Sequence, residues 1–220
     1  MGRRPAVEAF LPTTKHRRGR RTPRQERALA NPGPALLSRE TLAEVMAGDR
    51  PIVLDIGFGT GETVVAMAQD DPDTLIVGVD MHTPGIGDLL ATVDELDLAN
   101  VRVVDADVRL ILDVIPSGRL TGVRTFFPDP WPKKRHHRRR LVTSDLANAL
   151  ADRTRVTGFW HLATDWTEYA DQMDEVVGGC ARWVGGRITR PAARPVTRYE
   201  RRGMAAGRES TDLWFERIDG

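Results

Sequence analysis

The apolar run 51–56 (PIVLDI) passes directly into Gly57-Phe58-Gly59-Thr60-Gly61-Glu62, and no other junction restricts the possible folds of this 220-residue chain as much. A short, continuously apolar run is what a strand buried on both faces needs. Glycines behind it permit a tight turn and a close approach of backbone to a ligand. Residues 62–69 then read as a helix, with Val65, Ala66 and Ala68 available for packing. The rhythm repeats: strands are predicted at 75–80, 101–104, 123–127 and 160–164, and helices at 87–98, 108–115 and 143–155. Ser38, ahead of Leu42, Val45 and Met46 at helical spacing, marks a capped helix start. Leu213-Trp214-Phe215 suggests a last strand, antiparallel at the sheet's end. The predicted class is therefore α/β, a doubly wound and mostly parallel sheet. An apolar content of 40% suffices for a core, and Cys180, the single cysteine, excludes an intrachain disulfide and a Cys-rich zinc site.

In open parallel sheets, ligands bind at strand carboxyl ends where the strand order reverses. The glycine spacing here is GxGxG, not the GxGxxG of dinucleotide sites. Glu62 at the helix N-terminus would also repel a pyrophosphate, which disfavours a NAD-dependent dehydrogenase. A neutral or cationic nucleoside suits the loop better. Asp80 closes the second strand, 19 residues after Gly61, where a carboxylate accepts ribose hydroxyls. Asp107, after the third strand, is placed to receive an adenine amino group. Asp55, Gly57, Gly59, Gly61 and Asp80 together resemble the S-adenosylmethionine-dependent methyltransferases.

Charge is unevenly distributed behind a net value of +1. Residues 1–27 carry nine Lys/Arg against Glu8 and Glu26, and residues 133–140 (KKRHHRRR) carry six with no acid; the remainder has a net charge of −12. Such segregation suits an acidic body with two polyanion-binding segments. Residues 1–35 lack apolar periodicity and read as a basic flexible arm, with the folded domain at 36–220. The second basic run follows Phe126-Phe127-Pro128-Asp129-Pro130-Trp131, at the same rim as the glycine loop. The prolines restrict this loop and should hold Asp129 toward the site, with Trp131 offering a flat apolar face. His136 and His137 are adjacent, with no cysteine near, so no metal is expected.

LDIGFGTGE (54–62), HTPG (82–85), FFPDPWPKKRHHRRRL (126–141), ATDW with Tyr169, RPVTRYERRG (194–203) and DLWFER (212–217) together closely resemble the bacterial tRNA (guanine-N7-)-methyltransferases. The resemblance runs from the basic arm to nearly the last residue. It implies a Rossmann-like class I methyltransferase fold, and methyl transfer from S-adenosylmethionine to N7 of a guanine in the tRNA variable loop. It implies cofactor contacts from Asp55, Asp80, Asp107 and Asp129, with Asp129 also catalytic. It further implies tRNA or guanine contacts from Lys133, Asp165, Thr197, Arg198, Tyr199 and Glu200. The RNA-interaction stretch corresponds to Arg135, His136, His137, Arg138, Arg139 and Arg140. Two departures stand out. Asp80 occupies a usual Glu position, which shortens its reach. Asp105 and Asp107 both fit the third-strand acid.

Guanine N7 has a free lone pair, so a strong general base is unnecessary and catalysis reduces to positioning. Asp129 and Asp165 are then candidates to stabilise the charge that grows on the ring, or to bind its N1–H and amino edge. A rival reading is an exocyclic-amino methyltransferase, whose acidic or amide residue is followed by two prolines and an aromatic; here the prolines are interrupted. A non-catalytic RNA-binding module would not need Asp55, Asp80 and Asp129 together. No stretch approaches the ~18 apolar residues of a membrane span, and the first 15 residues lack the apolar centre of a secretory signal. The expectation is a cytoplasmic protein that binds tRNA, with no obligate protein partner, as monomer or homodimer.

Overall fold

A computed structural model describes residues 19–220 of the chain. Thr22 caps the first helix, α1 (Pro23–Ala30), accepting the Gln25 amide while the Gln25 side chain accepts the Thr22 N–H at 2.7 Å. Ser38 caps α2 (Arg39–Met46) in the same way through Thr41. There follow β1 (Ile52–Ile56), α3 (Glu62–Asp70), β2 (Leu75–Asp80), α4 (Thr83–Glu95) and β3 (Val101–Asp105). The second half comprises β4 (Leu120–Phe126), α5 (Ser144–Arg153), β5 (Thr154–Thr164), α6 (Thr167–Gly178), β6 (Trp183–Ile188), α7 (Arg198–Ala205) and β7 (Thr211–Arg217).

The strands form one seven-stranded sheet in the order β3-β2-β1-β4-β5-β7-β6. Strands β3 to β5 run parallel, and β7 is antiparallel to both β5 and β6, between which it lies. The strand at 211–217 is thus antiparallel as expected, but interior rather than at the edge. On one face, Leu54, Val77, Trp160 and Leu213 pack with Leu42, Leu146 and Met173. On the other, Ile76, Val101 and Val103 pack with Val64, Ile86 and Leu89. Helices cover both faces, which accounts for the burial of every residue of β1 and of all but the last of β2. Order reverses between β1 and β4, so their following loops diverge and leave a crevice at the carboxyl ends.

Two expectations need correction. The arm expected at 1–35 contains α1, which lies against α4: Gln25 is buried beside Gly87, and Arg24 bonds Glu95 at 2.8 Å and Thr92 at 2.9 Å. Residues 1–18 lie outside the described residues. The helix expected at 108–115 is two 3-10 turns, Val108–Leu110 and Leu112–Val114. Asp107 there accepts the Arg109 N–H, two residues on, and the segment is rich in β-branched residues and stops at Pro116. Helices α6 and α7 and strand β6 had no counterpart in the sequence reading.

Candidate active site

The glycine loop leaves β1 with Gly57, Gly59 and Gly61 at φ 78°, 62° and 79°, a region that side chains with a Cβ rarely adopt. Asp80 organises it: its carboxylate accepts the N–H groups of Gly59 (2.8 Å), Met81 (2.7 Å) and His82 (2.9 Å). His82 caps α4 through Nδ1. Helix α4 presses its backbone onto the loop, since a Cβ on Gly85 would stand 1.9 Å from the Gly59 carbonyl oxygen.

Asp55, the last polar residue of β1, is 2% exposed, and its Oδ2 has no partner among the described residues. Burial pushes its carboxyl up to about 7; Arg124 opposes that shift and Asp80 adds to it. Arg124 faces Asp55 in register on β4, and burial lowers its own pKa.

Two adjoining hollows open at the crevice. A cleft of ≈ 180 Å³ is walled by Gly57, Asp80, His82, Asp107, Arg109, Phe127, Asp129, Trp131 and Arg139. A smaller hollow of ≈ 40 Å³ is walled by Asp55, Gly57, Thr60, Glu62, Phe127, Thr197, Arg198 and Tyr199. Gly57 and Phe127 belong to both. Asp107 lies in the cleft wall, its carboxylate paired with the Arg109 guanidinium, whereas Asp105 stands exposed at the end of β3.

Beyond β4, Phe127 and Trp131 take φ of 51° and 44°. Such conformations cost about 1–3 kcal/mol each and persist only where the surroundings enforce them. Here the Phe127 N–H is fixed to the Ala163 carbonyl at 2.7 Å. The loop delivers Asp129 to the cleft. Trp131 lies under the Arg139 guanidinium, 4.9 Å from the ring centre, and meets the edge of His136.

The basic run forms a 3-10 turn, Lys134–Arg139. Lys133, Arg135, Arg138 and Arg139 are exposed; His136 and His137 are half-buried. Desolvation, with Arg139, Arg135, Lys133 and Arg138 nearby, lowers the His136 pKa, so the imidazole tends to stay neutral. Arg140 departs from the expected RNA-binding set: it is 2% exposed and bonded inward.

Asp165 is in the wall of neither hollow. It pairs with Arg208 at 2.8 Å and abuts Gly203 of α7. Glu200 also differs from expectation, being 3% exposed rather than facing a substrate. Its carboxylate accepts two bonds from Arg194 (2.8 and 2.7 Å) and, at 3.3 Å, the Thr197 N–H, while Thr197 caps α7. Burial opposes the ionised Glu200, but bonds from Arg194 and Ser210 outweigh it and hold its pKa low. Arg194 continues to Asp212 at 3.0 Å, and Asp212 to His161 at 2.8 Å. This buried ionic chain fixes α7 so that Arg198 and Tyr199 reach the smaller hollow. Arg194, Arg109 and the capping role of Glu200 were missed because buried and exposed ion pairs look alike in sequence.

A family model described as "Putative methyltransferase" matches residues 49–213. The tRNA (guanine-N(7)-)-methyltransferase of Alkalilimnicola ehrlichii is 41% identical over 228 residues, covering 98% of this chain and 94% of that protein. The enzyme of the same name from Streptomyces avermitilis is 44% identical over 183 residues, covering 80% of this chain; the match spans 63% of that longer protein. Among solved structures, the antibiotic-resistance methyltransferase Kmr superposes with a TM-score of 0.57 at 18% identity, over 84% of this chain and 94% of that one, a likeness of fold. With the glycine loop, the PDPW loop and the basic turn gathered at the point where strand order reverses, the chain belongs to the tRNA (guanine-N(7)-)-methyltransferase family.

Proposed function

We propose that this protein methylates N7 of a guanine in the tRNA variable loop, using S-adenosylmethionine. The observation that carries the reading is the convergence of the glycine loop, Asp129 and the exposed cationic turn on one crevice. The residues present fit the cofactor. Gly57 stands open to both hollows, with nothing within 4 Å of where a Cβ would point, and the partnerless Asp55 Oδ2 suits an ammonium group. Asp55 and Gly57 would hold the amino-acid half, Asp80 the ribose and Asp107 the adenine. When bound, the cofactor supplies a methyl group on a sulfonium.

The protein's own task is placement. The N7 lone pair would take the methyl group as its bond to sulfur breaks and leaves a neutral thioether. The chain's own residues therefore have only to hold the base in line, at roughly 3 Å. Asp129 accepts from the guanine N1–H and amino edge, and its negative charge opposes the positive charge that develops on the ring. Asp165, engaged by Arg208, supports α7 instead of sharing that role. Lys133, Arg135, Arg138 and Arg139 bind phosphates and set affinity without reading sequence. The test is transfer of labelled methyl to unmodified tRNA, followed by nucleoside analysis and mapping of the modified position. Label in 7-methylguanosine at the variable loop supports the reading; label in another nucleoside or another region overturns it.

A further inference from the structure

We propose that Arg140 is a positioning residue that braces the loop carrying Asp129 against helix α6. The inference rests on the proposed catalytic role of Asp129. Arg140 ends a run of six Lys/Arg, yet it alone among them is buried, at 2% exposure. Its Nε donates to the Pro130 carbonyl at 2.8 Å, the peptide oxygen between Asp129 and Trp131. Its Nη1 donates to the Gln172 side chain, and its Nη2 lies 3.1 Å from His137 Nε2 and 3.5 Å from Glu168. The guanidinium stacks over Tyr169, 4.8 Å from the ring centre. Tyr169 in turn accepts the Val142 N–H at 3.2 Å, closing a loop of contacts around the brace.

These partners lie on two separate pieces of chain, the turn after β4 and the first half of α6, which follows directly on Asp165. Arg140 therefore fixes the Asp129 loop relative to α6, and does so where Phe127 and Trp131 hold backbone conformations that need enforcement. A planar fork is required, because its donors diverge toward Pro130 and Gln172; a lysine ammonium is a point charge and cannot serve both.

The experiment compares Arg140→Lys with Arg138→Ala in methyl transfer and in tRNA binding across salt. Arg138→Ala should lower the salt slope by about one unit, as for a lost phosphate contact. Arg140→Lys should leave the slope unchanged and lower kcat at saturating tRNA by roughly 10- to 100-fold, as expected for a misplaced catalytic group. Full turnover by Arg140→Lys overturns the proposal. Gln172→Leu removes one anchor while every cation stays; it decides the matter if Arg140→Lys does not fold. Reduced kcat with an unchanged slope then supports the brace, and unchanged kcat refutes it. Asp129→Ala, measured alongside, separates the two readings: near-normal turnover there overturns the role of Asp129, whereas loss of turnover there with full turnover in Arg140→Lys overturns the brace alone.

Discussion

Replacing Asp55 with asparagine should stabilise the protein at alkaline pH and do progressively less as pH falls. The buried Asp55 carboxyl titrates at about 7 instead of its usual 3.8. Because the folded pKa is raised, the ionised group opposes folding, and the penalty grows as pH rises from about 4 to about 7. Linkage puts it at about 1 kcal/mol at pH 4.5 and about 4 kcal/mol at pH 8. Asn removes this ionisation while keeping the shape. The gain between the two pH values is thus about 3 kcal/mol, or roughly 6–12 °C in Tm for a domain of this size. Thermal unfolding of both proteins at pH 4.5 and pH 8 measures it directly. An equal Tm difference at both pH values, or a destabilisation that grows with pH, would falsify the assignment of a carboxyl whose burial outweighs the attraction of Arg124. If Asp55 holds the cofactor as proposed, the same substitution should also weaken S-adenosylmethionine binding, an exchange of stability for function.

Asp129→Ala is expected to abolish turnover while tRNA binding changes little, because the proposed reading puts affinity in the exposed cations; filter binding and label transfer on the same preparation check both. Gly85→Ala places a methyl group 1.9 Å from the Gly59 carbonyl oxygen, so the glycine loop must move by more than an ångström. It should destabilise by about 1–3 kcal/mol, typical of overpacking, and weaken cofactor binding measured by calorimetry. An unchanged cofactor Kd would show that α4 does not set the loop.

The parallel strands were legible because burial on both faces leaves mostly apolar residues in β1 and β2, with an acid only near the carboxyl end of each. The glycine loop and Asp80 were legible because backbone geometry demands glycine, and a strand-end acid has few other uses. Helix α1 was hidden because its contact with α4 is made by Arg24 and Gln25, residues that composition assigns to solvent. Glu200 was assigned to the substrate, and its partner Arg194 was overlooked, for a related reason: a buried ion pair carries no apolar signal. Arg140 cannot be told from Arg138 or Arg139 along the chain, because only the direction of the side chain separates a brace from a phosphate contact.

The placement of β7 bears on how the chain is made. This strand comes last in the sequence but lies between β5 and β6, pairing with both. A ribosome that has released residues up to 210 holds a sheet ending at β5, with β6 lacking its only neighbour among the described residues and the edge of β5 uncovered. Uncovered edges of that kind are sites of association with other nascent chains. Closure of the sheet, and with it the ionic link from Asp212 through Arg194 to α7, therefore waits on residues 211–217. Synthesis stalled at that stage leaves an aggregation-prone intermediate in which the link that fixes Tyr199 at the smaller hollow has yet to form.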